Sequence, residues 1–214
     1  MRVVRETRLL LVRHGESQSA LDGIVHGHKG CTGLSPLGRR QAEALRDRLL
    51  RTGEFGSVDA VYTSELARAI ETTEIIRPAL GEAAIVQDCD LCELHPGDDS
   101  DGMRRDEIEL DLHHDIYRSV GAGFETLAAM SLRAGACVRR IAREHAGQTA
   151  VIVCHGGVIR AALFALSHGW AVGSGFWIGI EHCSITEFER MPEGTPFEWA
   201  LMRMSDAAHL EGVR

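Results

Sequence analysis

The sequence lacks a long apolar run. A transmembrane helix needs about 20 apolar residues, and even the apolar segment 161–166 ends at Ser167 and His168. The first eight residues, MRVVRETR, do not resemble a secretory signal, because the apolar run 9–12 that follows them stops at Arg13. We therefore expect a cytoplasmic protein that makes no membrane contact.

The sequence also lacks an excess of positive charge. It has 23 Lys and Arg against 31 Asp and Glu, which gives a formal net charge of −8. The overall field of such a protein repels a polyphosphate backbone, so nucleic acid is not an expected partner. A small anionic ligand would need a local positive pocket.

Disulfide bonds are not expected either, although the chain has six cysteines. Without a secretory signal, an even number of cysteines is interpreted as free cytosolic thiols. Cys89 and Cys92 have the spacing of a redox or metal motif. No helical pattern begins at Cys89 and no second pair completes a zinc site, so we interpret the spacing as coincidence and predict no bound metal.

The chain has no repeat, linker or low-complexity tract, and its 214 residues are 44% apolar and 25% charged. These properties predict a single domain over residues 1–214. Strands are predicted at 7–12, 58–62, 84–86, 149–154, 184–190 and 197–203, and helices at 36–51, 65–76, 127–147 and 158–167. Alternation of strands and helices predicts an α/β fold, a three-layer α/β/α sandwich whose central sheet has about six mostly parallel strands, one of them antiparallel. Residues 94–124 lack a clear pattern and are expected to form a loop or helical excursion over the active site.

Groups that suit phosphoryl transfer follow four of the predicted strands. Arg13 and His14 come after the first strand, and Arg68, Glu93 and His155 come after three others. In an open parallel sheet, ligands bind outside the carboxyl ends of the strands. A lone histidine or arginine at such a place is usually an ordinary surface or core residue, but four strand ends that each supply a suitable group predict one site.

The motifs around these residues resemble the histidine phosphatase (phosphoglycerate-mutase-like) superfamily. They appear in the order Arg13-His14-Gly15-Glu16-Ser17, Leu34-Ser35-Pro36-Leu37-Gly38, Ser64-Glu65-Leu66-Ala67-Arg68-Ala69, Leu91-Cys92-Glu93 and Cys154-His155-Gly156-Gly157-Val158-Ile159-Arg160. Arg-His-Gly alone is weak evidence, whereas five ordered blocks over residues 8–190 are specific.

The resemblance implies a role for each group. His14 would attack phosphorus and form a phosphohistidine, and Glu93 would protonate the leaving oxygen and later activate water. Arg13, Arg68 and His155 would bind the phosphate oxygens. The implied partners are a small phosphorylated substrate and inorganic phosphate, and the reaction would need no metal or other cofactor.

Departures from the family pattern leave two points open. Ala20 stands where the family has an asparagine that contacts phosphate, and His26 with Gly27 stands where a polar residue and a glycine face the phosphate. We therefore include His26 and Gly27 among the candidate phosphate-binding residues, with His26 as a replacement for the missing amide or as a plain surface histidine.

The second open point is the reaction. The mutases resemble Glu-Arg-His-Tyr-Gly after the acid, but here the run is Glu93-Leu94-His95-Pro96-Gly97, which lacks two substrate contacts. Arg105 is a candidate replacement for a mutase lysine, so a phosphoglycerate-mutase-type phosphotransferase is the alternative. Because the loop is acidic at Asp98, Asp99 and Asp101, a phosphomonoester hydrolase is favoured.

Two further classes compete. A metal-dependent hydrolase would draw its ligands from His26, His28, His95, His113, His114 and Asp115. Their spacing matches no helix-borne metal motif. A catalytically silent phospho-ligand-binding protein is the other class, but such a protein would have no need of Glu93.

Overall fold

A computed structural model describes residues 6–111, 115–167 and 177–213 of the chain. Its strands are β1 (Arg8–Arg13), β2 (Ala60–Thr63), β3 (Ile85–Gln87), β4 (Thr149–Cys154), β5 (Ile185–Arg190) and β6 (Trp199–Asp206). Its α-helices are α1 (Gln18–Leu21), α2 (Pro36–Thr52), α3 (Ala67–Ile76), α4 (Leu127–Glu144) and α5 (Gly156–Leu166). Short 3-10 turns cover Arg77–Ala79, Cys89–Leu91, Arg105–Glu107 and Ala208–Leu210.

The strands form one six-stranded sheet in the order β3-β2-β4-β1-β5-β6. Strands β3, β2, β4 and β1 are mutually parallel, whereas β5 pairs antiparallel with both β1 and β6. The predicted mostly parallel sheet with one antiparallel strand is therefore confirmed. Since four parallel strands end at one edge, the residues that follow them share that edge, and β5 begins there.

Helices cover both faces of the sheet. Leu9 and Leu11 of β1 belong to an apolar cluster with residues of α4 and α5, while Leu10 and Val12 pack with residues of α2 and α3. All four side chains are completely buried. The continuous apolar sequence of β1 is explained by this burial on both faces, and the predicted three layers are confirmed.

Local hydrogen bonds set the helix ends. Ser35 caps α2, since its Oγ accepts a bond from the N–H of Gly38 at 2.9 Å. Helix α3 begins at Ala67, later than predicted, because the Ser64 hydroxyl accepts the N–H of Leu66 at 3.2 Å in a turn before the helix. The result is that Arg68 lies in the first turn of α3.

The first two signature blocks pack against each other. A Cβ on Gly15 would clash with the carbonyl oxygen of Gly38, and a Cβ on Gly38 would clash with the carbonyl oxygen of Glu16. The Ser35 hydroxyl donates to Glu16 Oε1 at 2.7 Å. These contacts hold the loop after β1 against the start of α2, and so they hold the backbone around His14.

The segment after Glu93 is mostly irregular. Within it, the Asp101 carboxylate accepts the backbone N–H groups of Gly27, Lys29 and Gly30 at 2.8–2.9 Å. These bonds tie the segment to the loop that follows α1. His113 and His114, which were candidate metal ligands, lie outside the described residues. No helix in the described ranges is both long enough and apolar enough to cross a membrane.

Candidate active site

His14 follows β1 and is buried, with 6% of its surface exposed. Its Nδ1 lies 2.6 Å from the carbonyl oxygen of Gly15. A carbonyl only accepts, so Nδ1 carries the proton and Nε2 is the unprotonated nitrogen with the lone pair. Burial, followed by the charge of Arg68, holds the pKa of His14 well below its usual value of 6.5. The imidazole is thus a neutral base with Nε2 available to attack.

Arg68 is almost completely buried, with 1% exposed. Its Nε donates to His14 Nε2 at 3.2 Å, and its Nη1 donates to the carbonyl oxygen of His26 at 3.1 Å and to Cys31 Sγ at 3.2 Å. Among the described residues, no carboxylate forms a salt bridge with this guanidinium. An uncompensated buried charge costs several kcal/mol, on the order of 3–5, so the site favours an anion.

Arg13 adds a second cation. Its Nη1 donates to the carbonyl oxygen of Ile180, and its Nε is buried without a hydrogen-bond partner within the described part of the chain. Burial lowers the pKa of Arg13 from its ordinary value. A buried N–H without a partner on this half-buried side chain is a donor that a bound phosphate would satisfy.

His155 follows β4 and is completely buried. Its ring centroid lies 4.9 Å from that of His14. Its Nε2 and the Ser64 hydroxyl are 2.8 Å apart, while its Nδ1 is buried with no partner in the described structure. Burial, followed by the charge of Arg68, holds the pKa of His155 well below its usual value.

Glu93 is the carboxylate of the site. Its Oε2 accepts the N–H of Gly157 at 2.9 Å, in the first turn of α5. Together with His26 and Arg68 it lines a pocket of about 240 Å³. The positive end of α5 favours a carboxylate at this position, and the bond orients one oxygen.

The structure brings His14, Arg68, Glu93 and His155 together at the carboxyl edge of the sheet, and Arg13 adjoins them. His26 also lines the pocket, with its Nδ1 2.8 Å from the carbonyl oxygen of Ile24. Burial, followed by Arg68, lowers the pKa of His26.

Gly27 differs from the expectation. Its N–H donates to Asp101 Oδ1 at 2.8 Å, so the backbone group that was expected to face phosphate is already occupied. A Cβ at this position would lie 2.7 Å from Asp101 Oδ2. The glycine is therefore explained by the close approach of Asp101 and not by a phosphate contact.

His182 is a site residue that the sequence reasoning missed. Its ring centroid lies 5.7 Å from that of His14, and burial, with the charges of Arg13 and Arg68, lowers its pKa to about 4. The signal was indirect: a strand antiparallel to β1 must begin at the edge where β1 ends. Because β5 pairs Ile185 with Val12, a residue just before β5 lies near His14.

Apart from Val25, the remainder of the pocket lining comes from the segment 94–124. Residues of this segment that line it are Leu94, Pro96, Arg105, Leu110, Val120 and Phe124. The wall is thus largely apolar with one cation, Arg105. Asp98, Asp99 and Asp101 are not among the lining residues.

Comparison with known proteins agrees with this arrangement. The profile of the histidine phosphatase superfamily (branch 1) matches residues 9–204. The metal-independent phosphoserine phosphatase of Arabidopsis thaliana is 27% identical over 217 aligned positions, which cover 97% of this chain and 84% of the relative. Phosphoglycerate mutase-like protein 4 of the same plant is 32% identical over 162 positions, covering 72% of this chain and 68% of the relative. The solved structure of YhfR from Bacillus stearothermophilus has a TM-score of 0.73 and 27% identity, with 95% of this chain and 99% of that chain covered.

The phosphatase interpretation fits the relatives better than the mutase alternative. The run after Glu93 also lacks the basic and aromatic residues of the mutase pattern. With a profile match over nearly its whole length and a related structure over 95% of its residues, this chain belongs to the histidine phosphatase superfamily.

Proposed function

We propose that this protein hydrolyses small phosphomonoesters through a phosphohistidine formed on His14 Nε2. The observation that carries the proposal is the pairing of a neutral buried imidazole with the buried Arg68 and the half-buried Arg13, neither of which forms a salt bridge within the described residues. Such a cluster is costly without a ligand and is complementary to a phosphate dianion. The six free cysteines suit a reducing compartment, and we place the enzyme in the cytoplasm.

The first half-reaction transfers the phosphoryl group. The lone pair of His14 Nε2 forms the new P–N bond as the P–O bond to the alcohol breaks in line. Glu93, initially protonated, gives its proton to the leaving oxygen. Arg13 and Arg68 bind the equatorial oxygens, where the charge of a loose transition state is located, and His155 faces them with Nδ1, the ring nitrogen that has no protein partner in the described structure.

The second half-reaction regenerates the enzyme. Water enters where the alcohol was, Glu93 removes its proton, and the water oxygen attacks phosphorus as the P–N bond breaks. Inorganic phosphate leaves, and His14 returns to its neutral form. The same carboxyl group acts as acid and then as base, as reversal of the proton transfer requires.

The pocket limits the substrate. A volume of about 240 Å³ lies below the usual range of roughly 300–1,000 Å³ for small-molecule sites. An apolar wall with Arg105 at one side favours a compact alcohol that carries a second anionic group. We therefore propose that residues 94–124 lie over the site and select the substrate. In this proposal the whole chain forms one domain.

A survey of compact phosphorylated metabolites tests this proposal. We expect release of inorganic phosphate, with phosphorylated hydroxy or amino acids turned over faster than nucleotides. Incubation with 3-phosphoglycerate and 2,3-bisphosphoglycerate should give phosphate and no isomerised product. Faster isomerisation than phosphate release would support a mutase, and binding without turnover of any ester would support a silent binding protein.

Gly157 offers a test of how Glu93 is held. A Cβ on Gly157 would clash with Glu93 Oε1, whereas a Cβ on Gly156 would meet Arg160 Nη1 at an ordinary 3.5 Å. Gly157→Ala should therefore displace the carboxylate and reduce kcat for alkyl phosphates by roughly 10²-fold, a contribution typical of a proton donor.

Gly156→Ala is the matched control for Gly157→Ala. Both positions lie in the first turn of α5 and both changes add one methyl group, so a difference between the two variants reports the local contacts and not the helix. We expect a much smaller loss of kcat in Gly156→Ala. Similar kcat values in the two variants would show that the Gly157 contact does not position Glu93.

A further inference from the structure

The structure gathers four metal-binding side chains beside the active site. His28, Cys89, Cys92 and His95 each offer one ligand atom, and these atoms all lie within 4.8 Å of one another. Cys89 Sγ lies 3.5 Å from His28 Nε2 and 3.9 Å from His95 Nε2. The group, hereafter the Cys2His2 cluster, contains none of the residues assigned above to phosphoryl transfer.

The geometry is close to that of a tetrahedral zinc site. With Zn–S of about 2.3 Å and Zn–N of about 2.0–2.1 Å, neighbouring ligand atoms are roughly 3.4–3.8 Å apart. The two Cys89 distances nearly meet this requirement. No pair of ligand atoms is more than 4.8 Å apart, so binding an ion would shorten the widest separation by about 1 Å. His28 is exposed, so its side chain has room to turn toward an ion.

The chemistry of the four ligands selects the ion. Two thiolates and two neutral imidazoles in a tetrahedral arrangement suit Zn²⁺ in preference to Mg²⁺ or Ca²⁺, which take oxygen ligands. Four protein ligands leave no open position for substrate, which is the pattern of a structural site.

Surrounding hydrogen bonds hold the turn that carries both cysteines. Arg133 Nη1 donates to the carbonyl oxygens of Cys89, Asp90 and Cys92 at 2.9–3.2 Å. The same guanidinium pairs with Glu125 at 2.7 Å, and Glu125 Oε2 accepts the N–H of His95 at 3.3 Å. Outer partners of this kind orient metal ligands, so the turn is arranged for binding before an ion arrives.

We propose that the Cys2His2 cluster binds one Zn²⁺, which positions Glu93 without taking part in phosphoryl transfer. Glu93 stands in sequence between two ligands, Cys92 and His95, and His28 follows the pocket residue His26 by two positions. One ion would therefore connect the loop that carries the acid to the loop that carries His26. The sequence has no second neighbouring pair of ligands, but the fold supplies His28 from 61 positions before Cys89.

Metal content measured on the purified full-length protein tests the proposal without any substrate. We expect about one zinc per chain after gel filtration, by elemental mass spectrometry. His28→Gln and Cys89→Ser should each lose most of this zinc. His28→Gln changes an exposed side chain, so loss of its zinc cannot be attributed to failed folding. Cys137→Ala removes a buried thiol outside the cluster and should retain the metal, as should His14→Ala, which excludes adventitious binding at the catalytic histidines.

Two further measurements complete the test. They are the absorption spectrum of the cobalt-loaded protein and the loss of activity toward two kinds of ester when zinc is removed. Co²⁺ loaded in place of zinc should give the visible absorption of a tetrahedral thiolate complex, and Cys89→Ser should abolish it. Removing zinc should slow alkyl phosphates more than nitrophenyl phosphate, because only the former depend on a positioned acid. The proposal is overturned by a purified protein that contains and takes up no zinc, by equal zinc content in all the variants, or by a Cys89–Cys92 disulfide in place of the metal.

Discussion

His14→Ala is expected to abolish turnover and phosphoenzyme formation together. The variant lacks the atom that we propose forms the P–N bond, and loss of a covalent nucleophile costs on the order of 10⁴-fold or more in kcat. Rapid quenching with labelled substrate should trap a phosphoenzyme in the unchanged protein that is labile in acid and stable in base, as a phosphoramidate is. Label that persists in His14→Ala, or that resists acid as a serine ester does, would show that another residue is the nucleophile.

The protonation of His14 provides an independent check on this role. Because its pKa lies well below 6.5, lowering the pH of the ligand-free protein through 6.5 should leave the ring neutral, whereas an ordinary imidazole would be half protonated there. The pKa is lowered because burial disfavours the charged form of the ring. NMR titration should show this behaviour, with the His14 signal identified by its absence in His14→Ala. A normal midpoint near 6.5 would contradict the description of His14 as a buried, neutral nucleophile.

Glu93→Gln is expected to have the next largest effect, and one that depends on the leaving group. An alkoxide is strongly basic and needs a proton as the P–O bond breaks, whereas nitrophenolate is a stable anion. The variant should slow alkyl phosphates by roughly 10²- to 10⁴-fold and nitrophenyl phosphate far less. Single-turnover phosphorylation is the measurement to use, because slow water activation in the second half-reaction would otherwise hide the difference.

Arg68→Met is the comparison for Glu93→Gln. Charge on the phosphoryl oxygens must be stabilised whatever group leaves, so this variant should slow both esters by a similar factor. Equal losses for the two esters in Glu93→Gln would remove Glu93 from the acid role. Asp98, Asp99 and Asp101 would be weak substitutes, since none lines the pocket and the Asp101 carboxylate is occupied by three backbone N–H groups.

Much of the fold could be predicted because its signals are local. The apolar run of β1 reflects burial on two faces, and Ser35 followed by Pro36 marks the start of α2 through a cap that involves neighbouring residues. The edge that collects His14, Arg68, Glu93 and His155 follows from the parallel arrangement of the strands, since each residue comes after a strand. Motif order along the chain was enough to identify the family.

Contacts between distant loops could not be predicted in the same way. Asp101 takes the N–H of Gly27 across 74 positions, and this bond decides that Gly27 is not free to meet phosphate. His182 approaches His14 because β5 pairs with β1, and His28 approaches Cys89 from a separate loop. Neither the periodicity of the sequence nor the identity of neighbouring residues indicates such pairings.

The order of strands and helices, the family and the chemical types of the candidate catalytic groups could be predicted from the amino-acid sequence, because these depend on local patterns and on motif order. The three-dimensional structure was needed to show which nitrogen of His14 carries the proton, that Arg68 and Arg13 form no salt bridge within the described residues, and that two histidines meet two cysteines. Those properties depend on distances of a few ångströms between groups far apart in the chain, and on burial, which changes the cost of a charge. Packing of the whole molecule sets both.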